Sequence, residues 1–297
     1  MLQINLFGGT TVLTDAGTRT ATDLGGVKPR QILEILAVAP GVPVSKERLA
    51  ELLWEGDPPR SWVSTLEGYV CVLRRALRHG TGRRAAVSTV MRGYVLDTAG
   101  ASVDLAEFRA LRASAVAMRP ERALEALDRA VALVTGELFP NEPYAVWAVH
   151  ERTLVRAEVV EAAIDAAGHA TVLQMYGRAA QLARLAIQHD PLAEGAWRLL
   201  MTALWRDGRR AEALRAYADL RDVLATELGA EPDRQSHELY LSLLRESGAR
   251  EVPGARYEEV RLLLHLLRDV VGELSGEDLP VSDPALVVMA ADVAGAA

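Results

Sequence analysis

The chain has 297 residues, half of them hydrophobic and a quarter charged, with a net charge of −7. That is enough for two domains with cores of their own, and the composition is that of a globular protein, not a disordered or fibrous one. The single cysteine, Cys71, excludes an intrachain disulfide and a thiolate zinc site; no run of 18 apolar residues offers a membrane span, and the start, MLQINLFGG, lacks the build of a signal peptide.

The charge is uneven. Residues 1–98 hold 12 basic and 9 acidic side chains, net +3, while residues 99–297 hold 21 basic and 31 acidic, net −10. From Arg60 to Arg92 seven arginines face one acid, Glu67. Attraction to phosphate is screened beyond about 8–10 Å, so a local basic patch can bind nucleic acid on an acidic chain. The plainer alternative is a solvated helix face with no partner.

In chain order, Leu2, Ile4 and Leu6 alternate, Gly8-Gly9 interrupts, and Thr11-Val12-Leu13 resumes, which predicts a short hairpin. Pro29 suits a helix first turn, Ile32, Leu33, Leu36 and Ala37 follow at helical spacing, and Pro40-Gly41 ends that helix. Ser45 is a candidate N-cap for a second helix with Leu49, Leu52 and Leu53 on its apolar face. Ser61 is placed to cap a third, running to about His79. On a wheel of about 100° per residue, Leu66, Val70, Leu73 and Leu77 form one narrow apolar stripe. The opposite side carries Ser64, Gly68 and Cys71, then Arg75 and Arg78, with Arg74 on the flank. A helix that is small and polar at its start and basic at its end suits a major groove about 12 Å wide: small residues let it approach base edges, and arginines reach phosphate or guanine. Val87–Val90, Met91-Arg92-Gly93 and Tyr94-Val95-Leu96 then read as a hairpin with an arginine at its tip.

Hairpin, three helices and basic hairpin together resemble the winged-helix output domain of OmpR/PhoB-type response regulators. The residues that carry the likeness are V-x-x-L-R-R-x-L at Val70–Leu77 and R-G-Y-V-L at Arg92–Leu96, placed after ELLW at Glu51–Trp54 and PPRS at Pro58–Ser61. The candidate DNA-binding residues are Arg60, Ser61, Ser64, Thr65, Gly68, Tyr69, Val72, Arg74, Arg75 and Arg78, then Arg83 and Arg84 before the wing and Arg92 at its tip. The stretch GTGRRA, Gly80–Ala85, superficially fits a dinucleotide-binding pattern but follows a helix and precedes a strand, the wrong order for that fingerprint.

From Val103 the pattern becomes alanine-, leucine- and arginine-rich amphipathic helices. Trp197, Leu200, Gly208, Ala213 and Tyr217 fall at the Trp, Leu, Gly, Ala and Phe positions of a tetratricopeptide repeat of 34 residues, and Pro191 at the closing proline of the preceding unit. The fit is partial: Met201 stands where glycine or alanine is usual, Gln174 where a glycine would be, and Ala225 where a proline would be. This predicts stacked helix pairs with a groove for a partner, although Trp197, Trp205 and Tyr217 individually read better as core. Tyr257–Leu274 reads as an amphipathic helix after a linker at Gly248–Gly254; its plainer reading is a cap on the solenoid, the alternative a dimerisation helix, and the tail beyond it is unassigned.

Taken as a whole, residues 2–246 resemble the Streptomyces antibiotic regulatory protein (SARP) family, which joins an OmpR-like winged helix to a bacterial transcriptional activation domain (BTAD). Asp104-Leu105-x-x-Phe108, Asn141-Glu142-Pro143-Tyr144 with Trp147, and Glu227-Leu228-Gly229-x-Glu231-Pro232 carry the second half of the likeness. The resemblance implies a cytoplasmic transcriptional activator, usually of a secondary-metabolite gene cluster. It implies double-stranded DNA as partner at promoter direct repeats, self-association there as side-by-side protomers, and contact with RNA polymerase including its sigma subunit. Members usually carry asparagine at Ser64, serine at Cys71 and arginine at Val72, so an altered site preference or weaker DNA binding is expected.

The expected architecture is therefore mainly α: a winged helix-turn-helix (α+β) over residues 1–98, an all-α TPR-like helical-repeat domain over 99–247, and 248–297 of unassigned role. The histidines are scattered and no HExxH, GxSxG or P-loop pattern occurs, so no catalytic, cofactor-binding or metal residue is expected. The competing reading is a helical-repeat interaction scaffold whose winged helix has lost DNA recognition, with Val72 and the acidic total as its evidence; an enzyme is a distant third.

Overall fold

The structure is a computed structural model that describes residues 2–77 and 86–248. The first elements are β1 (Leu2–Asn5), β2 (Thr11–Thr14), β3 (Gly17–Arg19), a single 3-10 turn at Ala21–Leu24, and α1 (Val27–Val38). Then come β4 (Val44–Ser45), α2 (Lys46–Trp54), α3 (Trp62–Ala76), β5 (Val87–Val90), β6 (Gly93–Leu96) and β7 (Ala101–Val103).

The expected N-terminal hairpin is half of a larger sheet, in the order β3-β2-β1-β7. β1 runs antiparallel to β2, with Gln3 opposite Leu13, and parallel to β7, with Gln3 opposite Ser102. The alternation that predicted β1 buries Leu2 and Ile4 beneath the sheet with Val12. β3 and β7 have three residues each, too short for a period of two to be read from the sequence. A second sheet, β4-β6-β5, holds the wing. Gly93 is required there by its neighbour: a Cβ on it would lie 2.1 Å from the Val44 carbonyl oxygen.

The three helices pack as their stripes demand. The side chain of Ser45 accepts a hydrogen bond from the Arg48 N–H at 3.0 Å and starts α2, as expected. Leu66, Val70, Leu73 and Leu77 are all buried, so the apolar stripe of α3 is its anchor against α1 and α2. α3 ends at Ala76, short of the expected His79, which lies outside the described residues. Ser61 stands at the N-cap position, but its hydroxyl makes no capping bond; its carbonyl instead accepts from the Thr65 N–H at 3.1 Å and from the hydroxyls of Ser64 and Thr65, each at 3.0 Å.

The remaining elements are helical: α4 (Asp104–Ala115), α5 (Pro120–Leu133), α6 (Val146–Val172), α7 (Tyr176–His189), α8 (Glu194–Arg206), α9 (Arg210–Leu228) and α10 (Arg234–Gly248). Neighbours in sequence pack on one another from α4 to α9. Alanine makes this close packing possible: Ala163, Ala166, Ala167, Ala179, Ala183, Ala196 and Ala213 are wholly buried. The Trp197 indole donates to the Pro191 carbonyl at 2.9 Å, linking the opening of one repeat to the close of the one before. Met201 is wholly buried where a smaller residue was expected. Ala225 lacks the ring that would break α9, which runs on to Leu228 and stops at Gly229, φ 64°. Gly248 ends α10 instead of opening a linker, and the amphipathic stretch expected at 257–274 lies outside the described residues.

Residues 1–236 form one compact unit, and His237 opens a second. Within the first, the winged helix and the helical pairs share a polar seam. The Asp104 carboxylate is buried and accepts from the backbone N–H groups of Leu6 at 2.8 Å, Phe7 at 3.1 Å and Leu105 at 2.7 Å. Phe7 meets Phe108 edge to face at 6.0 Å between centroids. Glu142, also buried, accepts from the Gln31 side chain at 2.6 Å and from the Arg30 guanidinium. Apart from that of Leu105, these are long-range bonds; all are charge-assisted, and leaving one partner alone there costs about 1–3 kcal/mol or more.

Candidate nucleic-acid interface

α3 presents the face opposite its buried stripe. Ser64, Gly68, Cys71, Val72 and Arg75 are exposed, and Thr65 and Tyr69 are half-buried on the flank. Tyr69 stacks on Trp54 at 6.4 Å, which commits its ring to holding α2 against α3. The hydroxyls of Ser64 and Thr65 donate back to Ser61, leaving their oxygens as acceptors toward a ligand.

The arginines divide into two groups. Arg74 turns inward: its Nε donates to the Val87 carbonyl at 2.8 Å, its Nη2 to the Thr89 hydroxyl at 2.7 Å, and the guanidinium lies 5.7 Å over the Tyr94 ring. It bolts α3 to the wing. Arg60, Arg75 and Arg92 are exposed, and their side chains carry no ion pair or hydrogen bond to another described residue, so their charges face solvent. Arg78, Arg83 and Arg84 lie outside the described residues. Arg92 adopts φ 73° in the two-residue connection between β5 and β6, beside Met91, which is 95% exposed. The wing tip is thus one cation and one apolar side chain projecting from a hairpin of four paired residues per strand.

Lys46, which is not among the candidate DNA-binding residues, completes the electrostatics. Its ammonium donates to Glu67 at 2.6 Å, and this hydrogen bond first, with the charge of the same carboxylate, holds its pKa above the ordinary lysine value. The one acid on α3 is therefore neutralised in place, and the outer face of the helix stays positive. No sequence pattern pairs residues 46 and 67; the crossing of α2 and α3 does. Val72 is also better understood in place. A Cβ on Gly25, φ 89°, would lie 2.2 Å from one γ-methyl of Val72, so the valine seats into the gap that a glycine leaves in the loop before α1.

This arrangement, a greasy-backed helix flanked by outward arginines and a hairpin, has counterparts among known proteins. Residues 25–96 match the family model described as transcriptional regulatory protein, C terminal, and residues 103–244 match the bacterial transcriptional activator domain. The regulatory protein DnrI of Streptomyces peucetius is 30% identical over 250 residues, covering 77% of this chain and 89% of that protein. The chain belongs to the SARP family of transcriptional activators. The regulatory protein AfsR of Streptomyces griseus is 31% identical over 74% of this chain, which spans 22% of that longer protein. The solved structure of Mycobacterium tuberculosis EmbR, in complex with a low affinity phosphopeptide, superposes with a TM-score of 0.71 at 25% identity, over 82% of this chain and 65% of that one. The matches are to transcription regulators and not to enzymes.

In this SARP the motifs of the helical half have structural places. Asp104 and Phe108 hold Leu6 and Phe7, just after β1, and Glu142 holds α1 through Arg30 and Gln31. Trp147 packs edge to face on Phe139 at 5.2 Å, and Gly229 stops α9. The first two motifs are the joint between the DNA-binding and activation halves. Among the described residues no helix is long and apolar enough to cross a membrane, and no group of three or more His, Cys, Asp or Glu is placed to hold a metal.

Proposed function

We propose that this activator binds promoter direct repeats as side-by-side protomers, with α3 in the major groove and the wing on the flanking backbone. Residues 1–98 act as the DNA-binding domain and 99–247 as the activation domain. From the DNA it recruits RNA polymerase, including the sigma subunit, to a secondary-metabolite cluster in the cytoplasm, and no catalytic step is part of this reading. The observation that carries it is the division of the arginines: Arg74 is spent on the fold, while Arg60, Arg75 and Arg92 stand unpaired around a small-residue helix face whose single acid is neutralised. Arg75 is assigned to guanine or phosphate, and Arg60 and Arg92 to phosphate.

The test is selection from a random duplex library by the full chain and by Arg75→Ala, at two salt concentrations. An enriched direct repeat, lost in the variant, supports the proposal. Weak, salt-erased binding with no motif would leave only the phosphate term and favour the scaffold reading.

A further inference from the structure

Gly68 sits in the middle of α3 with ordinary helical φ, where glycine disfavours the helix relative to alanine. Nothing among the described residues asks for it, because a Cβ built there meets none of their atoms within 4 Å. The open space is on the exposed face. One turn earlier lies Thr65, whose hydroxyl donates to the Ser61 carbonyl, and which carries a methyl beside its remaining acceptor oxygen. One turn later lies Val72, 37% exposed, with one γ-methyl locked against Gly25. Positions 65, 68 and 72 are spaced by three and four residues and share one side of the helix. They leave a gap over the helix backbone at Gly68, flanked along the helix by the side chains of Thr65 and Val72. A β-branched side chain in a helix has one strongly preferred χ1, so the Val72 wall is preorganised. In the major groove the apolar feature of a base edge is the C5-methyl of thymine, and side chains that read it are themselves apolar.

We infer that Thr65, Gly68 and Val72 form a socket for a thymine C5-methyl group, so that Val72 specifies a T·A pair beside the base or phosphate held by Arg75. The inference rests on the proposal that α3 enters the major groove. Gly68 provides the room and Val72 the contact; an arginine at position 72 would fill the socket and present a donor fork suited to guanine.

The test uses the full-length protein and the duplex that it selects from a random library. Each thymine of the selected site is replaced in turn by uracil, which removes only the methyl group and leaves the protein untouched. One position per half-site is expected to lose about fourfold in affinity, the worth of one buried methyl. Val72→Ala is expected to bind the thymine and uracil duplexes equally, and Gly68→Ala to lose roughly tenfold through steric block while its thermal stability holds or rises. If no thymine is sensitive to uracil, or if Val72→Ala keeps the full discrimination, the inference is wrong even though the protein binds its site. If the wild type selects no motif, the groove-binding reading itself falls, and the socket with it.

Discussion

Gln174 and Gly208, 34 residues apart, occupy the same turn of successive helix pairs with the same left-handed backbone, φ 60° and 79°. The hydrogen bonds repeat with the same offset. Met175 N–H donates to Ala170 and Arg209 N–H to Leu204, each at 2.8 Å, while Gln174 N–H donates to Thr171 and Gly208 N–H to Trp205. The turn geometry is therefore set by the repeat and not by the residue, and glutamine is held in a region that disfavours side chains. Gln174→Gly is expected to raise stability by about 0.5–1 kcal/mol, and Gly208→Gln to lower it by about 1 kcal/mol. Urea denaturation of both variants checks the pair; equal signs would mean that the two turns are not equivalent.

Glu34 makes stability depend on pH in a direction opposite to that of an ordinary paired carboxylate. Its side chain is buried, one oxygen has no hydrogen-bond partner among the described residues, and desolvation first, opposed by the bond from Thr10, pushes its pKa up from 4.5 to about 7. The folded pKa lies above the unfolded one. The associated stability is therefore complete below about pH 4.5 and is lost as the pH rises through about 7. The loss is on the order of 3 kcal/mol. In Glu34→Gln this part of the slope between pH 4.5 and 7 should vanish, as read from denaturation midpoints across that range.

Adjacent arginines on α3 should separate fold from function. Arg74→Ala removes two hydrogen bonds to the β5 strand and is expected to lower stability by about 1–3 kcal/mol. Arg75→Ala touches no described partner and is expected to leave stability within about 0.5 kcal/mol while weakening DNA binding. Thermal melts together with affinity on a selected duplex distinguish the two; matching profiles for the two variants would refute the division.

Arg92 is an exposed cation at the tip of the wing. As a phosphate contact it carries no sequence information, so Arg92→Ala should weaken binding uniformly across sequences. The slope of log affinity against log salt should become shallower by about one. A change confined to one base position, with an unchanged slope, would place Arg92 on a base edge instead.

The seam yields a prediction on the coupling of the halves. Asp104 bonds to the backbone of Leu6 and Phe7, and burial first raises its pKa, with those backbone bonds opposing the rise. Asp104→Ala strands those two buried donors and is expected to cost about 1–3 kcal/mol. Protease cleavage between residues 96 and 104 should then quicken; unchanged cleavage would show that the seam holds without it.

Much of this protein is legible in its sequence because local spacing carries the information. The stripe Leu66, Val70, Leu73 and Leu77 determined which side of α3 is buried, hence which side is left to meet a partner. Ser45 announced α2, and the repeat of Trp197, Gly208 and Ala213 announced a helix pair. These are signals within one turn or one repeat, where covalent geometry brings the residues together before any tertiary contact forms. What the sequence could not decide are the partners made by crossings. Arg74 and Arg75 are the same residue type side by side, and only the position of β5 turns one into a bolt and leaves the other facing solvent. Lys46 finds Glu67, Val72 finds Gly25, and Glu142 finds Arg30 and Gln31, across separations of 21 to 112 residues. A pair bond of that kind depends on where two elements meet, and periodicity along one chain segment holds no information about that distance. The sequence alone determined the architecture and the face; tertiary structure alone decided which charges on that face are free.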